Sequence, residues 1–188
     1  MDRSWIYAGL AAAVGVGLVR ALRPPRLRAG VTRMMIIGDS LAVGLSPLLK
    51  SMAAEQKIAV DAFPIISTRI DQWAKSAVLG EHLASFKPTL VLISLGTNDE
   101  YIAGDAVSRQ RPFLEQLLAR FPDSEVVWIG PPTLPKTTNG ITPMLQARVP
   151  SAQYFPSQTL TISRGPDGIH PTAKGYAGWA GAIWQWLS

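Results

Sequence analysis

From residue 32 onward, short apolar runs alternate with longer amphipathic stretches, and that alternation sets the expected fold class. Met34-Met35-Ile36-Ile37 is a wholly apolar run ending at Gly38, the mark of a strand buried on both faces. Leu41 to Ala54 follows with helical character, then Ile58 to Phe63 as a second strand and Ile70 to Ala84 as a second helical stretch. Leu90 to Leu95 is the clearest strand, bounded by Pro88 and Gly96. Val107, Phe113, Leu114, Leu117, Leu118 and Phe121 carry mostly helical spacing through Ala106 to Phe121, and Glu125 to Ile129 makes a further strand closed by Gly130-Pro131-Pro132. Strands alternating with helices imply crossover connections and a parallel sheet covered on both faces, so the class is α/β.

Between Pro131 and Pro166 the periodicity fades into Pro, Thr, Ser and Gly, with a short helix expected near Thr142 to Arg148 and a short strand near Ala152 to Phe155. The last stretch, Thr172 to Leu187, puts Tyr176, Trp179, Ala180, Ile183 and Leu187 on one face, a helix packed on the sheet. Trp179, Trp184 and Trp186 are expected in the core, and no internal repeat is present.

The N-terminus breaks this pattern. Trp5 to Val19 is an uncharged apolar run followed by Arg20, Arg23, Pro24, Pro25, Arg26 and Arg28. Its length overlaps a short spanning helix, a signal-peptide core and a buried or amphipathic N-terminal helix. No small-x-small cleavage site follows, which favours a retained membrane anchor through residues 5–19, with Trp5 and Tyr7 at one interface and the arginines at the other. The positive-inside rule then puts the body on the cytoplasmic side, although Arg3 on the opposite flank leaves the side open. The expected division is residues 1–30 as anchor and Arg/Pro linker, and 31–188 as one folded domain.

Composition narrows the chemistry. A chain of 188 residues, 47% hydrophobic and 16% charged, buries one core of ordinary size. The formal charge of +5 comes from the N-terminus, where residues 1–33 hold six arginines against Asp2. The remaining basic and acidic residues cancel, so a nucleic-acid partner is not expected. The absence of cysteine excludes disulfides, thiolate zinc sites and a cysteine nucleophile, and only His82 and His170 are available for imidazole chemistry.

In an open parallel sheet the ligand sits beyond the carboxyl ends of the strands. Three segments fall at such positions: Gly38-Asp39-Ser40-Leu41, Gly96-Thr97-Asn98-Asp99, and Asp167-Gly168-Ile169-His170-Pro171. Ser40, at a strand-to-helix turn, is placed either as a nucleophile or as a plain helix N-cap. Asn98 either donates to an oxyanion or closes a turn. Asp167, three residues before His170, is close enough to hold the imidazole. Asp39 and Asp99 are expected to satisfy turn amides, with Asp39 also placed to tune the nucleophile's surroundings. Arg69 is read as a solvated or ion-paired side chain that could meet an anionic substrate group, and His82 as structural.

Taken together, GDSL at residues 38–41, GTND at 96–99 and DGIHPT at 167–172 resemble the SGNH hydrolases, the GDSL family of esterases and lipases, from Met34 to the C-terminus. That resemblance implies a flavodoxin-like three-layer α/β/α domain with a five-stranded parallel sheet. It implies Ser40 as nucleophile, His170 as general base, Asp167 as its orienting partner, and the Ser40 backbone N–H and Asn98 side chain as oxyanion donors, with no metal or cofactor. The sequence departs from the family pattern once. The segment Phe63-Pro64-Ile65-Ile66-Ser67-Thr68-Arg69-Ile70 lacks the glycine that normally gives the third donor, and Ser67 is the best match to it.

The implied function is a serine esterase working through an acyl-enzyme, with O-acetyl esters on a glycan as one substrate class. A lysophospholipase or thioesterase for longer acyl chains, and a non-catalytic binding module with an impaired oxyanion hole, are the alternatives.

Overall fold

The computed structural model describes residues 27–135 and 139–188. The apolar run at residues 5–19 lies outside the described residues, and among those described no helix is long and apolar enough to cross a membrane.

Five parallel strands form one sheet: β1 (Arg33–Gly38), β2 (Ala59–Ala62), β3 (Leu90–Ser94), β4 (Glu125–Ile129) and β5 (Tyr154–Phe155), in the order β2-β1-β3-β4-β5. Alternate residues of each buried strand face opposite layers. Met34 and Ile36, with Leu90, Leu92, Val127 and Ile129, pack on α1 (Ser40–Glu55) and the C-terminal helix α6 (Ala173–Leu187), whose Trp179, Ile183, Trp184 and Leu187 are buried there. Met35 and Ile37, with Val91, Ile93, Val126 and Trp128, face α2 (Ile70–Ala74), α3 (Ala77–Phe86), α4 (Ala106–Leu118) and α5 (Ile141–Arg148). Helices therefore cover both faces, as the wholly apolar runs require. Leu27 joins the α1/α6 core, and Arg28 pairs with Glu125 at 2.9 Å.

The stretch from Ile70 to Ala84, expected as one helix, is two. Periodicity runs through both, with Ile70, Trp73, Ala74 and Leu79 buried, but Ser76 leaves helical geometry and its hydroxyl caps the Leu79 N–H at 3.1 Å. Other boundaries differ by a few residues: β2 is shorter than Ile58–Phe63, and α4 ends at Leu118.

This sheet order places a topological switch point between β1 and β3. The chain leaves β1 toward the α1 layer and leaves β3 toward the α4 layer, so the two loops part and open a crevice at the strands' carboxyl ends.

Candidate active site

The turn after β1 is built by Gly38 and Asp39. Gly38 has φ +153°, and a Cβ there would lie 2.2 Å from the Ser94 carbonyl oxygen, so only glycine lets β1 pass this close to the end of β3. Asp39 is the N-cap of α1, its Oδ1 accepting from the Leu41 N–H at 2.9 Å. That assignment overturns the cap reading of Ser40. The neighbouring carboxylate does the capping, and the Ser40 hydroxyl is free to face the crevice.

There it meets His170. Ser40 Oγ lies 2.9 Å from His170 Nε2, and His170 Nδ1 lies 2.7 Å from Asp167 Oδ2. The other carboxylate oxygen of Asp167 accepts from the backbone N–H groups of Ile169 and His170, each at 2.9 Å. The bond to His170 and these two amides hold Asp167 well below the usual carboxylate range, at about 2. It is thus ionised at neutral pH and fixed on both oxygens.

The loop carrying this pair is fastened on three sides. Gly168 turns it at φ +68°, Gly165 N–H donates to the His170 carbonyl at 2.8 Å, and Thr172 caps α6 through the Gly175 N–H at 3.1 Å. Arg164, which sequence reasoning did not single out, donates to the Ile169 carbonyl and, at 2.6 Å, to the Thr133 carbonyl. It ties the Asp167–His170 loop to the segment following β4.

Ser67 and Asn98 line a neighbouring cleft together. The segment after β2 is pinned to the Gly38 carbonyl by the Ile65 N–H at 2.9 Å and the Thr68 hydroxyl at 3.3 Å. Asn98 Nδ2 donates to the Thr68 carbonyl at 3.0 Å, which orients the amide and leaves its second N–H for another acceptor. Ser67 adopts φ +60°, the left-handed conformation that glycine would hold without strain. Its side chain is exposed, and the backbone N–H groups of Ser40 and Ser67 donate to no group among the described residues. Ser67 and Asn98 line one cleft, and the segment that carries Ser67 is pinned to the Gly38 carbonyl, two residues before Ser40; these N–H groups are donors of the kind an oxyanion needs.

Two buried carboxylates lie beneath this surface. Asp39 and Asp99 are fully buried, and each has one oxygen without a partner among the described residues. Burial pushes Asp39 up to about 7, against the opposing Leu41 amide. Burial also raises Asp99 to about 7; the Ile70 N–H, 3.3 Å away, opposes this, while Asp71 and Asp39 add to it. Both were expected to serve turn amides. Asp39 does so, whereas Asp99 reaches across to α2, a long-range contact with no local signal in the sequence.

His82 is away from the site. It stacks on Phe63 with ring centroids 3.7 Å apart, and its Nδ1 lies 2.7 Å from Asp61 Oδ2, as suits a structural side chain. Arg69 is ion-paired as expected, its Nε 3.3 Å from Asp71 Oδ1. Among the described residues no group of His, Asp or Glu is arranged to hold a metal ion.

Neither a family model nor a curated protein sequence matches the chain. Solved structures do. An esterase, EstA, of Pseudoalteromonas sp. is 18% identical with a TM-score of 0.66, over 81% of this chain and 94% of that one. A GDSL-like lipase of Bacteroides thetaiotaomicron is 16% identical with a TM-score of 0.66, over 93% and 96%. A peptidoglycan O-acetylesterase is 21% identical with a TM-score of 0.57, over 67% of this chain and 45% of that one. Identities this low speak for the fold alone. The fold of this chain is that of the GDSL-like lipases, acylhydrolases and esterases of the SGNH family.

Proposed function

We propose that the protein is a serine ester hydrolase acting through an acyl-enzyme. The observation that carries this reading is the continuous chain from Ser40 Oγ through His170 to Asp167, with contacts of 2.9 and 2.7 Å. In that arrangement Ser40 Oγ attacks the ester carbonyl carbon while its proton passes to His170 Nε2. Asp167 keeps the imidazole oriented through Nδ1 and stabilises the cation that forms. The negative charge on the former carbonyl oxygen is received by the N–H groups of Ser40 and Ser67 and by the Asn98 amide. Collapse of the tetrahedral intermediate breaks the bond to the alcohol, which takes the proton from His170. Water, deprotonated by the same imidazole, then attacks the acyl-Ser40 ester, releasing the acid and restoring the hydroxyl.

Within this reaction class we favour small acyl groups, acetyl esters on a glycan among them, as in the peptidoglycan O-acetylesterase that shares the fold. Longer acyl chains are the second reading, favoured by one observation: Ile65 and Ile66, beside the crevice, are exposed, Ile66 at 66%. The left-handed Ser67, which presents a backbone N–H as glycine would, speaks against the binding-module reading.

The test is hydrolysis of p-nitrophenyl acetate, butyrate and octanoate by the wild type, Ser40→Ala and His170→Ala. The proposal expects turnover that both substitutions abolish, highest with acetate. Turnover that survives Ser40→Ala refutes the mechanism, and a steep rise toward octanoate replaces the acetyl reading with the longer-chain one.

A further inference from the structure

Beside Ser67 and Asn98 the crevice opens into a cleft of about 610 Å³, which Arg69, Tyr101, Arg109 and Phe113 also line. Its chemistry is uneven. Two guanidinium groups from different elements, the loop before α2 and the helix α4, meet in one concavity, and Tyr101 and Phe113 offer ring surface beside them.

The acidic side chains nearby offset only part of this charge, Asp71 lining the same cleft beside Arg69. Asp71 pairs with Arg69 through Nε and also accepts from Gln110 Nε2, both at 3.3 Å, so it fixes one guanidinium while the terminal nitrogens stay without a described partner. Arg109 forms no ion pair within 4 Å among the described residues, although the Asp105 carboxylate, held low first by its hydrogen bonds with Ser108, is near enough to be lowered in part by the guanidinium charge. Its Nη1 donates to the Ala103 carbonyl at 3.3 Å, and Asp105, one turn earlier, is engaged in capping α4 through the Ser108 N–H at 3.0 Å. Lys75 Nζ lies 4.1 Å from the centre of the Phe113 ring, adding positive charge at the rim. The cleft thus carries a modest excess of positive charge on a body whose charges sum to zero.

We propose that this cleft is a subsite for an anionic group, a carboxylate or a phosphate, carried by the alcohol half of the ester, with Arg69 and Arg109 as its specificity-determining residues. The inference rests on the esterase reading and deepens it, because the subsite borders the donors that receive the oxyanion. An acetyl ester leaves the cleft to the alcohol, and a planar or cyclic alcohol bearing one negative charge matches both the rings and the guanidinium groups. Arginine suits either anion through its forked donors.

The test compares kcat/KM for methyl 4-acetoxybenzoate, 4-acetoxybenzoate and 4-acetoxyphenyl phosphate, which share an acetyl group and differ in the charge on the alcohol. Each charged-to-neutral ratio is compared between the wild type and a variant, so the intrinsic reactivity of the ester cancels. In Arg109→Gln, an exposed substitution on α4, the ratio is expected to fall about tenfold for the preferred anion, the scale of one lost charge-assisted contact. Arg69→Gln is expected to act in the same direction. The anion with the larger fall identifies the group the cleft takes, and ratios unchanged in both variants overturn the subsite. If the wild type hydrolyses none of the three, the esterase reading fails, and the subsite is judged by binding alone. Ser40→Ala is then titrated with benzoate and phenyl phosphate. Binding that weakens when Arg109→Gln is added supports the subsite, and absent or unaltered binding refutes it.

Discussion

Replacing Ser67 by glycine should stabilise the protein and leave its chemistry intact. Ser67 sits at φ +60°, where an L side chain crowds its own backbone. That conformation costs roughly 1–2 kcal/mol for a residue with a Cβ. Glycine removes the crowding but gives the unfolded chain more freedom, at a cost of roughly 0.5–1 kcal/mol. The side chain is exposed and its hydroxyl bonds no described group, so nothing else is lost. The difference is a net gain of about 0.5–1 kcal/mol, or a rise in Tm of about 1–4 °C for a chain of this size. Thermal unfolding followed by circular dichroism reads that shift, with Ser67→Ala as the control that keeps the Cβ. Because glycine presents the same backbone N–H, ester hydrolysis in Ser67→Gly should stay near the wild-type rate or rise if the Cβ hinders the substrate. A Tm that does not rise, or an alanine variant as stable as the glycine one, would refute the strain argument. A large fall in rate would refute the assignment of this N–H as a donor.

Three further outcomes are expected. Asn98→Ala removes one oxyanion donor and should lower kcat by roughly 10²–10³ with a smaller effect on KM, measured on acetate esters. Asp167→Asn leaves the loop amides an oxygen acceptor but loses the charge that orients His170, so kcat should fall by on the order of 10³–10⁴ in a protein whose circular dichroism is unchanged. Asp39 is raised in the fold from an ordinary 3.8 to about 7, so its contribution to stability is full below about 4 and is lost as pH rises through 7. Asp39→Asn keeps an acceptor for the Leu41 N–H and cannot ionise, so its Tm relative to the wild type should climb between pH 5 and pH 8. A constant difference across that range would show that Asp39 is not the buried acid described.

β1 and β3 were legible because each is buried on both faces and reads as an apolar run. Met34 to Ile37 and Leu90 to Leu95 announce β1 and β3 with no tertiary information. The break between α2 and α3 was not legible, because the apolar period continues through Lys75 and Ser76 while one local cap interrupts the backbone. β5, two residues at Tyr154 and Phe155 paired with β4, falls within the short strand expected near Ala152 to Phe155. At the site, the three motif blocks pointed to the residues that the structure brings together, since each follows a strand or precedes a helix. What the sequence left open at Ser40, nucleophile or cap, depended on Asp39 taking the cap. The burial of Asp99 depends on α2 closing over the turn after β3, and the clamp of Arg164 depends on the path of an irregular loop. Neither leaves a periodic trace.

The central claim is that Ser40 is an activated nucleophile. Labelling of the folded protein with a fluorophosphonate, read by intact mass and peptide mapping, tests it most directly. A single adduct on Ser40 is expected, absent in Ser40→Ala and strongly slowed in His170→Ala. A folded wild-type protein that takes up no label, or takes it up at another residue, contradicts it.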